Sequence, residues 1–216
     1  MDSVQNELNL YTSSICPYCK PVEYLLQANG VNFQRHEINL MKGEHRTEEY
    51  KKINPLQKVP AIIENDFILY ESNVITRYLC NSKNIEERWY PKDPMERARV
   101  DLYFEWHKLN SSELNKYTMV KMGWIQNITL EQAKAATDAA FREFENLFLK
   151  NSKFVASDEV TIADLALAWH FKSLTSLGFE LPYLSNEYFN NLIVAEPGLV
   201  ASLEEYQKDR IQLFGK

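Results

Sequence analysis

The stretch Glu7-Leu8-Asn9-Leu10-Tyr11-Thr12-Ser13-Ser14-Ile15-Cys16-Pro17-Tyr18-Cys19-Lys20-Pro21-Val22-Glu23-Tyr24-Leu25-Leu26-Gln27-Ala28-Asn29-Gly30 decides how this chain folds. Its first part, Glu7 to Ser13, is rich in strand formers and ends in a polar cluster just before Cys16. Pro17 stands where proline is favoured, in the first turn of a helix, because its missing N–H is not needed there. Val22, Leu25 and Leu26 follow at helical spacing, and Asn29-Gly30 supplies the stop. Val31 and Phe33, then Ile38 and Leu40, predict a second strand. A strand, a helix and a strand in so few residues form a βαβ unit, whose strands run parallel.

Working outward, residues 46–53 predict a short helix closed by the turn Asn54-Pro55. Val59-Pro60-Ala61-Ile62-Ile63 predicts a strand, Glu64-Asn65-Asp66 a tight turn, and Phe67-Ile68-Leu69-Tyr70 its return. Pro60 inside a strand pattern implies an edge, a bulge or a cis peptide. Val74, Ile75, Tyr78 and Leu79 share one face of a helix that runs to about Asn81, giving the order β-α-β-α-β-β-α. Residues 84–94 are charged, carry Pro91 and Pro94, and read as a linker. Everything beyond has helical periodicity. Val100, Tyr103, Phe104 and His107 share a face; Thr129 with Gln132 forms a capping box ahead of the stripe Ala136, Ala140, Phe141, Phe144 and Leu147. Thr161 with Asp164 repeats that box before an apolar run, and Pro197-Gly198 precedes a last helix. The expected organisation is an α/β domain over 1–83, a linker over 84–94 and an all-helical domain over 95–216.

Composition narrows the function. The chain has 216 residues, 45% hydrophobic and 25% charged, as an ordinary globular protein does. No stretch approaches the roughly 20 consecutive apolar residues of a membrane helix. The polar, acidic start Met1 to Glu7 lacks the pattern of a secretory signal, so a cytoplasmic location is the expectation. A net charge of −6 gives no electrostatic reason to bind nucleic acid. Three cysteines are too few for a disulfide framework, and no second Cys pair or close His pair accompanies Cys16 and Cys19 to close a metal site.

The thiol pair carries the chemistry. A helix start offers unpaired N–H groups and partial positive charge, which stabilise a thiolate. Cys16, nearer the helix end, is the candidate nucleophile; Cys19, about one turn deeper, is a candidate resolving thiol. The plainer alternative is two buried cysteines packed as small hydrophobes. Cys80, near the end of its helix, reads as a core residue.

The run Cys16-Pro17-Tyr18-Cys19 after a strand resembles the active site of glutaredoxins, within the thioredoxin-like fold. The wider chain resembles cytosolic glutathione transferases, most closely the theta class. The residues that carry this are Lys42-Gly43-Glu44-His45, Asn54-Pro55-Leu56-Gln57-Lys58-Val59-Pro60-Ala61, Glu71-Ser72 and Trp89-Tyr90-Pro91. In the second half they are Arg97-Ala98-Arg99-Val100-Asp101 and Thr161-Ile162-Ala163-Asp164-Leu165. The resemblance implies a thioredoxin-like glutathione-binding domain followed by an all-α domain that contributes a second-substrate site near Trp106, His107 and Asn110. It implies that Glu71 accepts from the γ-glutamyl ammonium and that Ser72 meets the γ-glutamyl carboxylate. His45 and Lys58 match positions near the glycine carboxylate. Val59 precedes the family's cis-proline, here Pro60, and pairs its backbone with the cysteinyl part.

The resemblance also implies glutathione as co-substrate, no metal, a small electrophilic or disulfide second substrate, and a homodimer. Its interface would involve Phe67, Tyr70 and the helix bearing Arg97, Arg99 and Asp101. Theta-class enzymes place a Ser where this chain has Cys16. They also carry an arginine without a match after Trp106 and a C-terminal extension beyond the position of Lys216. A Cys at that place is the omega-class and glutaredoxin pattern, so the leading expectation is thiol transfer through Cys16, reducing disulfides or dehydroascorbate. The alternatives are theta-like conjugation of glutathione to electrophiles and a non-catalytic binding or scaffold role.

Overall fold

The computed structural model describes residues 7–215; Met1 to Asn6, which make up nearly all of the acidic start read above, and Lys216 lie outside it. It divides into two compact units, Met1–Glu86 and Glu87–Lys216. The first holds β1 (Leu8–Thr12), α1 (Lys20–Ala28), β2 (Gln34–Glu37), α2 (Glu48–Ile53), β3 (Ala61–Glu64), β4 (Phe67–Tyr70) and α3 (Ser72–Ser82). This is the thioredoxin-like order expected from the sequence. The four strands line up as β2-β1-β3-β4, with β1 parallel to β2 and antiparallel to β3. Alternation along β1 puts Leu8, Leu10 and Thr12 inside. Helices α1 and α3 pack together over the sheet through Val22, Leu25, Leu26, Ile75 and Leu79.

Three local readings shift. β2 is confined to Gln-Arg-His-Glu, an entirely polar edge strand, because an edge needs charge rather than apolar alternation to stay unpaired. The expected helix over 46–53 begins at Glu48, where Thr47 caps it by accepting the Tyr50 N–H. Helix α1 starts at Lys20, not at Pro17. Lys20 N–H reaches the Cys16 carbonyl at 3.4 Å, but the next bond of the ladder would need an N–H on Pro21. The run 16–19 is therefore a separate turn, and Pro21 is the proline of the first helical turn.

The second unit is helical: α4 (Pro94–Lys121), α5 (Leu130–Phe148), α6 (Ile162–Ser176), α7 (Tyr183–Ala195) and α8 (Gly198–Phe214). Asp93 caps α4, and the capping boxes of Thr129 with Gln132 and Thr161 with Asp164 both form. Helix α6 is buried nearly all round and packs on α4, α7 and α8. The stripe of α5 runs through Ala133, Thr137, Ala140, Phe141, Phe144 and Phe148. Leu147 is 58% exposed instead, since Phe148 lies closer to the continuing face of a 3.6-residue helix. Segment 84–94 is not wholly exposed: Trp89, Tyr90 and Pro91 are buried. No helix among the described residues is long and apolar enough to cross a membrane.

Candidate active site

Strand register gathers the expected site residues of the first unit at one end of the sheet. Tyr11 in β1 pairs with Ala61 in β3, and Ala61 pairs with Tyr70 in β4. One step further along, Thr12 and the Ser13–Cys19 turn leave β1, Val59-Pro60 enters β3, and Glu71-Ser72 leaves β4. The sheet thus places Cys16, Val59, Glu71 and Ser72 along one edge.

At that edge both thiols are free. Cys19 is fully buried and Cys16 nearly so. The Cys19 thiol donates to the Cys16 sulfur, which also receives the N–H groups of Tyr18 and Cys19. Together these hold the Cys16 pKa below the ordinary thiol value against burial and the nearby Glu23 carboxylate. Burial first, and then the bond to Cys16, push the Cys19 thiol well up. Of the two thiols, Cys16 is the one poised to ionise.

The remaining candidates present open polar groups. The Val59–Pro60 bond is cis, and the Val59 N–H and carbonyl have no partner among the described residues. Glu71 stands at the N-cap of α3 with a positive φ of 72°, which a side chain adopts only at a cost. Its carbonyl takes the N–H groups of Val74 and Ile75, and those of Ser72 and Asn73 at the helix start have no partner among the described residues. Lys58 is exposed, while its carbonyl accepts from Tyr50 Oη at 2.9 Å and Asn54 Nδ2 at 2.6 Å. His45 lies in a short 3₁₀ turn, Glu44–Arg46. Its Nδ1 is buried without a partner among the described residues, and burial, then Arg46, lowers its pKa. Among the described residues no group of three or more His, Cys, Asp or Glu could hold a metal ion.

Sequence reading missed two features. Tyr50 is a buried wall of the site: its hydroxyl fixes the Lys58 carbonyl, and burial, then Cys19 and Cys16, raise its pKa. Beneath the cysteine turn lies a set of ion pairs made by Lys20, Glu23, Arg35 and Glu37. The i,i+3 spacing of Lys20 and Glu23, and the i,i+2 spacing of Arg35 and Glu37 on a strand, were the available signals. Ser13 is buried, and its hydroxyl donates to Glu37 Oε1 at 3.4 Å.

In the helical unit the expected second-substrate residues sit in packed surroundings. His107 is 2% exposed and stacks on Tyr103 at 5.5 Å; burial holds its pKa down at about 4. Trp106 is also buried and donates Nε1–H to Glu143 at 2.7 Å. Asn110 is half-buried and bonds to the Trp106 carbonyl. His107 belongs to the interior of this unit, because an apolar face of α4 had to be covered and His lay on it.

Residues 6–81 match the family model described as the glutathione S-transferase N-terminal domain. Mouse glutathione S-transferase theta-3 is 31% identical over 182 residues, covering 81% of this chain and 76% of the relative. The solved apo form of human glutathione-S-transferase T1-1 superposes with a TM-score of 0.81 at 26% identity, covering 92% of this chain and 90% of that one. A human theta-class enzyme in complex with the glutathione conjugate of 1-menaphthyl sulfate has a TM-score of 0.79 at 26% identity, covering 94% and 91%. With its sheet topology and these relatives taken together, this chain belongs to the glutathione S-transferase family, and it is theta-like.

Proposed function

We propose that this protein binds glutathione along the Cys16–Val59–Glu71 edge and joins its sulfur to a small electrophile. The observation that carries the reading is the set of unengaged groups at that edge. Val59 offers a main-chain N–H and carbonyl as the next strand of a ladder; Ser72 and Asn73 offer N–H groups at a helix start; Glu71 offers a carboxylate. A tripeptide with an ammonium and a carboxylate at one end complements all three. Lys58, exposed and cationic, and His45 supply the partner for its glycine carboxylate. The theta relatives, one of them solved with a glutathione conjugate, favour conjugation over thiol transfer.

A second reading rests on one specific contact, the Cys19 thiol donating to Cys16. As a thiolate, Cys16 attacks the glutathione sulfur of a glutathione-bearing disulfide, whose S–S bond breaks and whose other half leaves as a thiolate, so that a Cys16–glutathione mixed disulfide forms; as a thiol, Cys16 donates a hydrogen bond to the glutathione thiolate. Its protonation thus separates the two reactions. Cys16→Ser decides between them. Conjugation kept or raised, with disulfide reduction lost, fits both roles in one site. Unchanged disulfide reduction in Cys16→Ser removes Cys16 as a nucleophile. Failure of the intact protein to bind immobilised glutathione would overturn both readings and leave a scaffold role.

We also propose a homodimer. Apolar side chains stand exposed in each unit: Phe67 in the first, and Met95, Leu102 and Leu147 in the second. Of the residues expected there, Arg97 and Asp101 are engaged by Pro91 and Tyr90, while Arg99 is exposed. Sedimentation of Leu102→Glu against the parent protein tests it, a monomer being the expected outcome.

A further inference from the structure

Strand β1 stops at Thr12, and a side chain of the neighbouring strand takes over its next bond. The parallel ladder reaches as far as the Thr12 carbonyl, which takes the Ile38 N–H at 2.7 Å. In that pattern the next bond would run from the Ser14 N–H to the Ile38 carbonyl. Instead the Ser14 N–H donates to Glu37 Oε1 at 3.0 Å, and the Ser13 hydroxyl donates to the same oxygen at 3.4 Å. The chain then folds over. The Cys16 N–H donates back to the Ser13 carbonyl at 3.1 Å, closing a turn with Ser14 and Ile15 at its centre. The Cys16 carbonyl in turn takes the Cys19 N–H at 3.1 Å. Two consecutive turns therefore share Cys16, and the first of them is pinned by Glu37.

The Glu37 side chain is 42% exposed, and an ion pair so placed contributes little by itself. Its aim is what matters. Glu37 and Arg35 lie two residues apart on β2 and so on one face. Arg35 Nη2 donates to Glu37 Oε2 at 2.6 Å, which leaves Oε1 for the turn. Arg35 is itself anchored, since its Nε donates to Glu23 Oε1 at 2.8 Å. Glu23 is 4% exposed and also accepts from the Thr12 hydroxyl at 2.8 Å and from the buried Lys20 ammonium at 3.0 Å. So buried a carboxylate is held only when paired in this way. The line Lys20–Glu23–Arg35–Glu37 thus braces one carboxylate oxygen from α1, across β2, onto a main-chain N–H two residues before Cys16.

We infer that Glu37 is a positioning residue: it holds the Ser13–Cys16 turn where β1 ends, and so sets where Cys16 stands. It acts through main-chain bonds, from the Ser14 N–H to the turn and from the turn to the Cys16 N–H. Without the Glu37 oxygen the Ser14 N–H turns to water or to the Ile38 carbonyl, and the turn that carries Cys16 loosens. A displacement of about 1 Å at a reacting atom can cost on the order of 10²-fold in rate, so a clasp of small stability has a large effect on turnover.

The inference rests on Cys16 being the reacting residue, and its first test does not require glutathione. Cys16 alkylation by iodoacetamide is followed on the full chain by peptide mass mapping, with Cys80 as internal reference. Rates are compared at the alkaline plateau, where the thiolate fraction no longer limits them. Cys16 is 8% exposed, so a loosened turn admits the reagent. Glu37→Ala should raise the Cys16 rate, and deuterium exchange of the Ser14 amide, each about tenfold, with Cys80 unchanged. Arg35→Met should raise them about threefold and add nothing in the Glu37→Ala background, because it acts through Glu37. In the conjugation assay Glu37→Ala should lower kcat about tenfold and leave the glutathione KM within about twofold, since the binding groups lie on other elements. Unchanged Cys16 and Ser14 rates in Glu37→Ala overturn the inference, whether or not Arg35→Met folds. A Cys80 rate that rises in step also overturns it, as that marks general loosening, and so does full additivity of the two substitutions or an unchanged kcat. The expected alkylation pattern in a protein that fails to bind glutathione supports the inference and counts against the proposed function alone.

Discussion

The buried Lys20–Glu23 pair of the sheet unit and the buried histidines of the helical unit are treated in opposite ways. In the sheet unit, Lys20 and Glu23 are buried as charges, each held by a partner and both next to Cys16. In the helical unit, His107 and His170 are buried as neutral rings, their pKa values forced down by the loss of solvent. His170 Nδ1 meets Asn115 Oδ1 at 2.7 Å, and the two imidazoles pack edge to face at 5.4 Å. The buried ion pair of the first unit lies beside the thiol pair, whereas the two buried imidazoles of the second are discharged and serve packing. The difference teaches that burial by itself does not mark a site; what matters is whether the buried group stays ionised beside something reactive.

That contrast can be broken most forcefully in the helical core. Phe144 meets Trp106 at 5.8 Å and Tyr188 at 5.6 Å, and Phe144→Ala should cost about 3–5 kcal/mol. All four tryptophans lie beyond residue 86, so their fluorescence during urea unfolding reports this unit alone. A loss under about 1 kcal/mol would mean that the aromatic cluster is loosely packed. Next in size is acid. The folded His107 pKa of about 4 lies below the ordinary 6.5, so the unfolded chain takes up the proton first. Its stabilisation is complete above about pH 6.5 and fades as pH falls toward 4, on the order of 3 kcal/mol in all. His170 adds a drop of the same sign. Tryptophan-detected unfolding across that window measures it; a flat profile would place both imidazoles in contact with water.

Asp164→Ala should cost about 2–3 kcal/mol, because it orphans the Val155 N–H and the Tyr188 hydroxyl as well as the α6 cap. Least costly is Lys58→Ala. The side chain is exposed, so stability should stay within about 0.5 kcal/mol of the parent while the glutathione Kd rises several-fold. An unchanged Kd would take Lys58 out of the binding site.

What could be read in the sequence followed the range of the forces involved. The βαβ unit, the hairpin turn at Asn65-Asp66 and both capping boxes depend on neighbours within a few residues, and each was legible. The start of α1 was misplaced because two prolines compete for one helical turn, and only the missing N–H of Pro21 decides between them. Leu147 and Phe148 differ by one position on a helix whose period is not an integer, so a stripe of apolar letters could not choose. The Glu23 network was out of reach for another reason: Arg35 and Thr12 are twelve and eleven residues from Glu23 and come to it only through β1–β2 pairing. His107 looked like a ligand-facing residue because sequence gives the identity of a helix face and not the depth of what covers it.

Helix α6 sets a consequence of its own. From Ile162 to Phe171 every side chain is buried, with neighbours in α4, α7 and α8. No partial fraying exposes that backbone, so its amide hydrogens exchange with deuterium only when the whole helical unit opens. The amides around Ser13–Cys19, held by single turn bonds, exchange through local openings that leave the rest intact. One protein thus carries a slow clock and a fast one, and a ligand that protects only the fast amides has bound at the thiol turn.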